Sequence, residues 1–153
     1  TQTGARIKKI KKFIGEDDLF FMTYGDGISN VDLNKLLRFH KKHNKIATLT
    51  AVRPIPRFGN IKLNKNKISE FSEKDRLQEG WINGGFFVLN KKVFDYIGNK
   101  NDCIFEKEPL QNLSKDGQLM AFKHEGFWHP MDTLRDKNYL NELYSKKKLK
   151  WLK

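Results

Sequence analysis

Two aspartates stand where carboxylates could hold a metal ion. Asp26 follows the apolar run FFMTY and lies between two glycines, and Asp132 lies in GFWHPMDTLRD, where a helix is predicted to start. Mg²⁺ takes one or two carboxylates in such places, and water and substrate phosphates complete its shell. Taken singly, a turn also explains Asp26 and a helix cap also explains Asp132. If the two carboxylates meet, the sequence predicts a magnesium site.

Other polar residues lie between the aspartates, in FSEKD and WINGGFFV. Lys74 offers a point charge for a phosphate, and Glu73 offers a double acceptor for vicinal sugar hydroxyls. Asn83 and Gly84 could add an amide and a bare stretch of backbone to the same pocket. The alternative is that Glu73 and Lys74 are solvated hairpin residues, and the residues alone leave both interpretations open.

Composition limits the classes of protein that this chain can belong to. The 153 residues, 38% of them hydrophobic, suffice for one domain with a core, and the single cysteine, Cys103, excludes an internal disulfide. The net charge of +12 would attract a polyanion, but the lysines lie mostly on predicted helix faces without interleaved aromatic residues. Solvated helix faces are therefore favoured over a nucleic-acid groove. The apolar runs are shorter than a membrane span, so we expect no membrane partner and a cytoplasmic location.

The first half of the chain alternates helix and strand. DDLFFMTY and IATLTAV predict buried strands, and the helix between them runs from about Asp32 to His43 after a cap signal at Ser29 and Asn30. This order predicts a βαβ unit and so a parallel sheet. The apolar face of that helix is predicted to contain Leu33, Leu36, Leu37 and His40. Thr3 is predicted to cap an earlier helix, and the apolar face of that helix is predicted to contain Ile7, Ile10 and Ile14.

The second half adds an insertion and then returns to the sheet. NIKLN and KISEFSE predict an antiparallel hairpin, whereas WINGGFFVLN and QLMAFKH predict further strands of an open α/β sheet. Short helices are predicted near Lys91 to Ile97 and from Pro109 to a stop at Gly117. Asp132 or Thr133 would open the last helix, with a lysine cluster in its final turns and with Leu140, Leu143 and Tyr144 inward. His129 is predicted to pack or to hydrogen-bond rather than to bind a metal.

Several of these segments recur together in one known family. The order TGAR, FMTYGDG, ATLTA, RFGNI, FSEKD, INGGFFVLN, EPL, LMAF and GFWHPMDTLRDKNYL resembles the sugar-nucleotide pyrophosphorylases over nearly the whole chain. INGGFFVLN followed at a distance by GFW-x-PMDTLRD is the specific part of the pattern. The resemblance implies an α/β, Rossmann-like nucleotide-diphospho-sugar transferase fold, incomplete here, with a mostly parallel sheet and an inserted β-hairpin.

The same resemblance implies an activity and a set of site residues. The implied reaction joins CTP to α-D-glucose 1-phosphate and gives CDP-glucose and pyrophosphate. Asp26 and Asp132 match the Mg²⁺ ligands of the family, and Lys74 matches its phosphate contact. The positions that match the hexose-binding residues are Glu73, Gly59, Asn83 and Gly84. The positions that border the nucleotide are Thr3, Gly4 and Arg6.

The glycine-rich G-G-x-G-T-R loop of the family has no counterpart in this sequence. We therefore expect residues 1–153 to be a single partial domain, the C-terminal portion of a longer catalytic domain that is homo-oligomeric at full length. We also expect the isolated chain to be inactive in nucleotidyl transfer. Three alternatives stay open: a metal-dependent glycosyltransferase, a remnant that only binds nucleotide-sugar, and a basic nucleic-acid-binding module.

Overall fold

A computed structural model describes residues 1–54, 60–72 and 80–152 of the chain. In these ranges the α-helices are α1 (Thr3–Ile10), α2 (Leu33–His43), α3 (Glu108–Lys115) and α4 (Leu134–Ser145). The strands are β1 (Leu19–Thr23), β2 (Gly27–Ser29), β3 (Ala47–Val52), β4 (Asn60–Asn64), β5 (Lys67–Ser72), β6 (Ile82–Asn90), β7 (Leu119–His124) and β8 (Trp128–Pro130). Short 3₁₀ helices lie at Lys11–Phe13 and Lys91–Asp95. Even α4, with 12 residues, is too short to cross a bilayer, as is every other described helix.

The described residues form two compact units. Unit 1 comprises residues 1–25, 32–50 and 85–122, and unit 2 comprises the described parts of 26–31, 51–84 and 123–153. Unit 1 holds most of a four-stranded sheet in the order β1, β6, β3, β7. The predicted α/β fold, with α2 between β1 and β3 in sequence, is confirmed. The sheet is mixed, because β6 lies between β1 and β3 and runs antiparallel to β1.

The core of unit 1 is aromatic and aliphatic. Phe87 of β6 is fully buried, and its ring lies 5.8 Å from the ring of Phe105 and 5.6 Å from that of Tyr24. Gly85 precedes this part of the strand with φ of +78°, and a Cβ there would lie 2.7 Å from the Tyr24 ring. A residue with a side chain would therefore be strained at this position and would collide with Tyr24. Glycine is what lets the aromatic ring approach the backbone of β6.

Unit 2 contains two separate antiparallel pairs. The predicted hairpin is confirmed as β4 and β5, with Ile61 opposite Phe71. The second pair, β2 with β8, was not predicted, and it aligns Gly27 with Pro130, Ile28 with His129 and Ser29 with Trp128. Each of these strands has only three residues, which is too few to give an alternating pattern. This short pair carries the candidate site.

Several predicted details of the helices are wrong. Gln2 is the N-cap of α1, without a side-chain bond, and Thr3 is the first helical residue. Asp32, rather than Ser29 or Asn30, caps α2 by accepting the Lys35 N–H at 2.9 Å. The lysine cluster follows the end of α4 instead of lying in its final turns. Three apolar residues predicted to face inward are exposed, because each helix buries a narrower stripe than its pattern suggests: Ile10, Leu33 and Tyr144.

Candidate active site

Asp26 lies directly before β2 and is exposed to solvent. A Cβ on the preceding Gly25 would meet no atom within 4 Å, so the space beside that backbone is open. At Gly27 a Cβ would lie at an ordinary contact distance of 3.7 Å from the Gly84 carbonyl oxygen and the Trp128 indole nitrogen, so close packing does not require glycine at either position. Within the described ranges the Asp26 carboxylate has no hydrogen bond or ion pair.

Asp132 lies between β8 and α4 and is also exposed. The sequence left open whether Asp132 or Thr133 caps α4, and the N-cap is Thr133. Thr133 and Asp136 form a reciprocal capping box, in which the Asp136 N–H donates to the Thr133 hydroxyl and the Asp136 carboxylate accepts the Thr133 N–H. The Asp132 carboxylate is thus not used by the helix, and it has no partner among the described side chains.

The ladder between β2 and β8 brings the two aspartates together. Gly27 is aligned with Pro130, and just beyond this pair the Met131 N–H donates to the Asp26 carbonyl at 2.7 Å. Asp132 is the next residue. The two exposed carboxylates, 106 positions apart in sequence, are therefore carried by facing backbone segments at the same end of one ladder.

One hydrogen bond joins the ladder to β6, and another joins the residues next to the far end of the ladder. The indole N–H of the buried Trp128 donates to the Gly84 carbonyl at 2.8 Å. Asn30, at the other end of β2, accepts the Phe127 N–H through its side chain at 2.9 Å. Asn83, half-buried beside Gly84, thus lies on a strand that the ladder contacts directly. The structure brings together Asp26, Asp132 and the Gly84 backbone, all within unit 2, and Asn83 is the residue before Gly84.

His129 forms part of the same ladder and packs as predicted. It is buried, its ring lies 4.6 Å from that of Tyr139, and its Nε2 is 3.2 Å from Asp136 Oδ1. The Thr133 hydroxyl and N–H, together with the nearby His129, hold the pKa of Asp136 below its usual value. Asp136 is therefore an ionised acceptor at neutral pH.

Sequence reasoning missed a cationic group elsewhere in unit 2. Trp81 lies two residues before Asn83, and its ring has the Arg53 guanidinium at 4.4 Å and the Lys123 ammonium at 5.4 Å. Such stacking holds cations in place at an aromatic face. Arg53 and Lys123 are separated by 70 positions, so no local pattern could have revealed the group.

The residues predicted to border the nucleotide lie together in α1 of unit 1. The Thr3 hydroxyl donates to the Glu106 carboxylate at 2.6 Å and accepts the Phe105 N–H at 2.9 Å. Gly4 is buried, and a Cβ there would lie 2.7 Å from the Cys103 sulfur. Arg6 is exposed, and its Nε donates to the Thr1 carbonyl at 2.9 Å. Contacts within the unit thus engage Thr3 and Gly4 and leave the Arg6 side chain at the surface.

Three predicted site residues lie outside the described residues: Gly59, Glu73 and Lys74.

The donor chemistry of the described site fits a hard divalent cation. In residues 1–54, 60–72 and 80–152 no three His, Cys, Asp or Glu side chains come together as a ready-made metal cage. The Asp26 and Asp132 pair offers two carboxylates and open space, which suits Mg²⁺ because it keeps several water and phosphate ligands. Two carboxylates beside open space could therefore hold a cation whose other ligands are water and the phosphate of a substrate.

Comparison with known proteins identifies the class of protein that has this fold. The profile of the nucleotidyl transferase family matches residues 2–143, and the chain belongs to that family. Members of the family generally use a divalent metal ion and act on a nucleoside triphosphate and a sugar phosphate.

The chain is also similar to individual proteins with known names. The chain is 46% identical to a glucose-1-phosphate cytidylyltransferase of Salmonella typhimurium, over 99% of this chain and 58% of that protein. It is 33% identical to a mannose-1-phosphate guanyltransferase of Aspergillus oryzae, over 91% of this chain and 39% of that protein. The solved structure of HddC from Yersinia pseudotuberculosis shares the fold, with a TM-score of 0.68 at 24% identity over 94% of this chain and 62% of that one. The chain thus spans little more than half the length of the Salmonella protein.

Proposed function

We propose that the chain is part of a glucose-1-phosphate cytidylyltransferase and supplies its metal and sugar-phosphate subsites. The proposed reaction joins CTP to α-D-glucose 1-phosphate, giving CDP-glucose and pyrophosphate. The observation that carries the proposal is the ladder between β2 and β8, which sets the exposed Asp26 and Asp132 at one end of a short sheet. The 46% identity to the Salmonella protein supports cytosine and glucose over guanine and mannose, for which the identity is 33%.

In this proposal the residues of the chain position and neutralise rather than form covalent bonds. Asp26 and Asp132 would hold Mg²⁺, which when bound supplies positive charge to the phosphoryl oxygens. Asn83 and the backbone at Gly84 would orient the hexose, and Glu73 and Gly59 would complete that subsite. Lys74 would hold the phosphate of glucose 1-phosphate in line for attack on the α-phosphorus of CTP. Thr3, Gly4 and Arg6 would border the nucleotide, in part through their backbone.

The proposal also covers the wider protein. We propose that residues 1–153 belong to the C-terminal portion of a longer catalytic domain, and that this longer protein is a homo-oligomer in the cytoplasm. The share of the Salmonella protein that the chain spans, 58%, supports a longer active form. The isolated chain is expected to bind product without turning over substrate.

Product binding by the 153-residue chain is the direct test. CDP-glucose, UDP-glucose and GDP-mannose are titrated into the chain by isothermal titration calorimetry, each with excess Mg²⁺ and again with excess EDTA. We expect binding of CDP-glucose that is lost with EDTA, and weaker binding of the other two. Equal binding of all three, or binding that EDTA leaves unchanged, would contradict the proposal.

Turnover can be tested in a full-length setting. A hybrid is made in which this chain replaces the matched stretch of 151 residues in the Salmonella typhimurium protein. We expect the hybrid to release pyrophosphate from CTP and glucose 1-phosphate, whereas the isolated chain does not. A folded hybrid without turnover would contradict the proposed activity, and turnover by the isolated chain would contradict the proposed partial domain.

A further inference from the structure

The segment that carries Asp132 is fixed on both sides by residues to which the proposed function gives no role. On one side lies β8, whose His129 is aligned with Ile28 in the ladder. On the other side lies the first turn of α4, which contains Asp136. We propose that His129 and Asp136 are positioning residues, which hold residues 130–132 so that the Asp132 carboxylate is presented to the cation. This inference rests on the metal site of the proposed function.

Both oxygens of the Asp136 carboxylate are engaged. Oδ2 accepts the Thr133 N–H at 3.1 Å and the Thr133 hydroxyl at 2.7 Å, and Oδ1 lies 3.2 Å from His129 Nε2. One carboxylate therefore joins the start of α4 to β8 across the loop that contains Asp132. A helix cap alone needs only the Thr133 contacts, so the bond to His129 is an additional constraint.

His129 is a fixed point for that bond. Only 7% of its surface is exposed, and its ring lies 4.6 Å from the ring of Tyr139 and 6.4 Å from that of Phe127. A buried ring with two aromatic neighbours has little freedom to follow Asp136, so the hydrogen bond restrains the helix start instead. The three residues between His129 and Thr133 are consequently held at both ends.

Asp132 and Asp136 divide two tasks, cation binding and helix capping, between two carboxylates. Both Asp136 oxygens are within hydrogen-bond distance of other residues of the protein. The Asp132 carboxylate is exposed and has no partner among the described residues. Outer partners that orient a metal ligand commonly change metal affinity by about 10- to 100-fold when they are removed. We expect His129 and Asp136 to act at the lower end of that range, because they restrain the backbone and not the carboxylate itself.

The test measures Mn²⁺ binding to the 153-residue chain by the loss of the free-ion electron paramagnetic resonance signal. Mn²⁺ is the probe because it prefers the same oxygen ligands as Mg²⁺. His129→Phe keeps an aromatic ring but removes the hydrogen bond, and Asp136→Asn removes the ionised acceptor. We expect each to raise the Mn²⁺ dissociation constant by about 10-fold. Glu142→Gln is the control, because it removes an equal charge from an exposed position on the same helix and should change the constant by less than about twofold.

The same substitution in a chain that lacks the Asp132 carboxylate shows whether the change in Mn²⁺ affinity depends on Asp132. In an Asp132→Asn chain, His129→Phe should cause no further loss of Mn²⁺ binding. A further loss of about 10-fold in that background would overturn the inference, as would a wild-type dissociation constant for a folded His129→Phe chain. If wild type and Asp132→Asn bind Mn²⁺ equally, the metal site of the proposed function is itself wrong. These outcomes distinguish failure of the inference from failure of the proposed function.

Folding is followed by circular dichroism and thermal unfolding for every variant. If His129→Phe does not fold, Thr133 gives a second comparison, because Thr133→Ser keeps the hydroxyl that bonds Asp136 and Thr133→Val removes it. Thr133→Ser should keep the wild-type Mn²⁺ dissociation constant and Thr133→Val should raise it. Equal constants for these two variants would overturn the inference.

Discussion

Two pairs of polar side chains, one pair in each unit, have different surroundings. In unit 1, the buried His40 and the neighbouring His43 both hydrogen-bond to the Thr48 hydroxyl, at 2.9 and 2.7 Å. In unit 2, the ladder between β2 and β8 ends at Asp26 and Asp132, whose carboxylates are exposed. The two histidines satisfy their polar atoms inside the protein, whereas the two aspartates, which we propose to bind a cation, have no partner among the described residues. The difference separates substitutions that should cost stability from those that should cost binding.

Two phenylalanines give the largest contrast between the units. Phe87 in unit 1 is 0% exposed, whereas Phe71 on the hairpin of unit 2 is 62% exposed. Phe87→Ala should lower the free energy of unfolding by about 4 kcal/mol, because it leaves a cavity among the rings of Tyr24 and Phe105. Phe71→Ala should cost less than about 1 kcal/mol. Guanidinium unfolding of both variants measures the contrast, and similar losses would mean that the hairpin face is packed.

Acid should weaken unit 1 through its histidines. Burial, with a contribution from the nearby His43, lowers the pKa of His40 to about 4, and burial also lowers the pKa of His43. In the unfolded chain His40 takes up a proton near pH 6.5, whereas the folded protein resists it. The unfolded state therefore binds more protons in this window, and stability that is complete above pH 6.5 falls as the pH drops towards 4, by at most about 3 kcal/mol for His40.

The measurement is guanidinium unfolding at several pH values from 7 to 4.5. His40→Leu, which cannot titrate, should show a flatter dependence on pH, whatever its stability at pH 7. An unchanged slope in the variant would show that the acid effect has another source.

Glu106 is a carboxylate of unit 1 that serves the fold, and its substitution should lower stability less than that of Phe87. It accepts hydrogen bonds from the Thr3 and Tyr24 hydroxyls and is half-buried, whereas Glu108 two residues later is exposed. Glu106→Gln leaves a single acceptor oxygen and should lower the free energy of unfolding by about 1 to 2 kcal/mol. Glu108→Gln is the matched control and should have little effect. Equal stability of the two variants would contradict the assignment of Glu106 to the fold.

Asp26 and Asp132 should give the smallest effect on stability. Asp26→Asn and Asp132→Asn keep the shape of an exposed side chain, so each should change the free energy of unfolding by less than about 0.5 kcal/mol. Thermal and guanidinium unfolding check this expectation. A large destabilisation would indicate that these carboxylates serve the fold, as Glu106 does.

The sequence predicts the long elements of both units well and the short ones poorly. α2 and β3 are long enough for their periodicity to be read, whereas β2 and β8 have three residues each and contain glycine or proline. The ladder that joins Asp26 to Asp132 was therefore not predicted, although both aspartates were singled out. The spacing Thr133-x-x-Asp136 is a capping-box signal that could have resolved the start of α4.

Contacts between residues that are far apart in sequence cannot be recognised from a local sequence pattern. Thr3 was predicted to cap a helix, but its hydroxyl bonds to Glu106, 103 positions away. Local propensity does not encode a partner of that kind, because only the packed fold decides which segments meet. The same reason explains why the cations beside Trp81 were missed.

The central claim is that Asp26 and Asp132 act together on one cation. The most direct test titrates CDP-glucose into wild type, Asp26→Asn, Asp132→Asn and Glu106→Gln at increasing Mg²⁺ concentrations. We predict that binding rises with Mg²⁺ in wild type and Glu106→Gln, and that either aspartate substitution abolishes the dependence on Mg²⁺. Mg²⁺-dependent binding that persists in a folded Asp26→Asn or Asp132→Asn chain would contradict the claim.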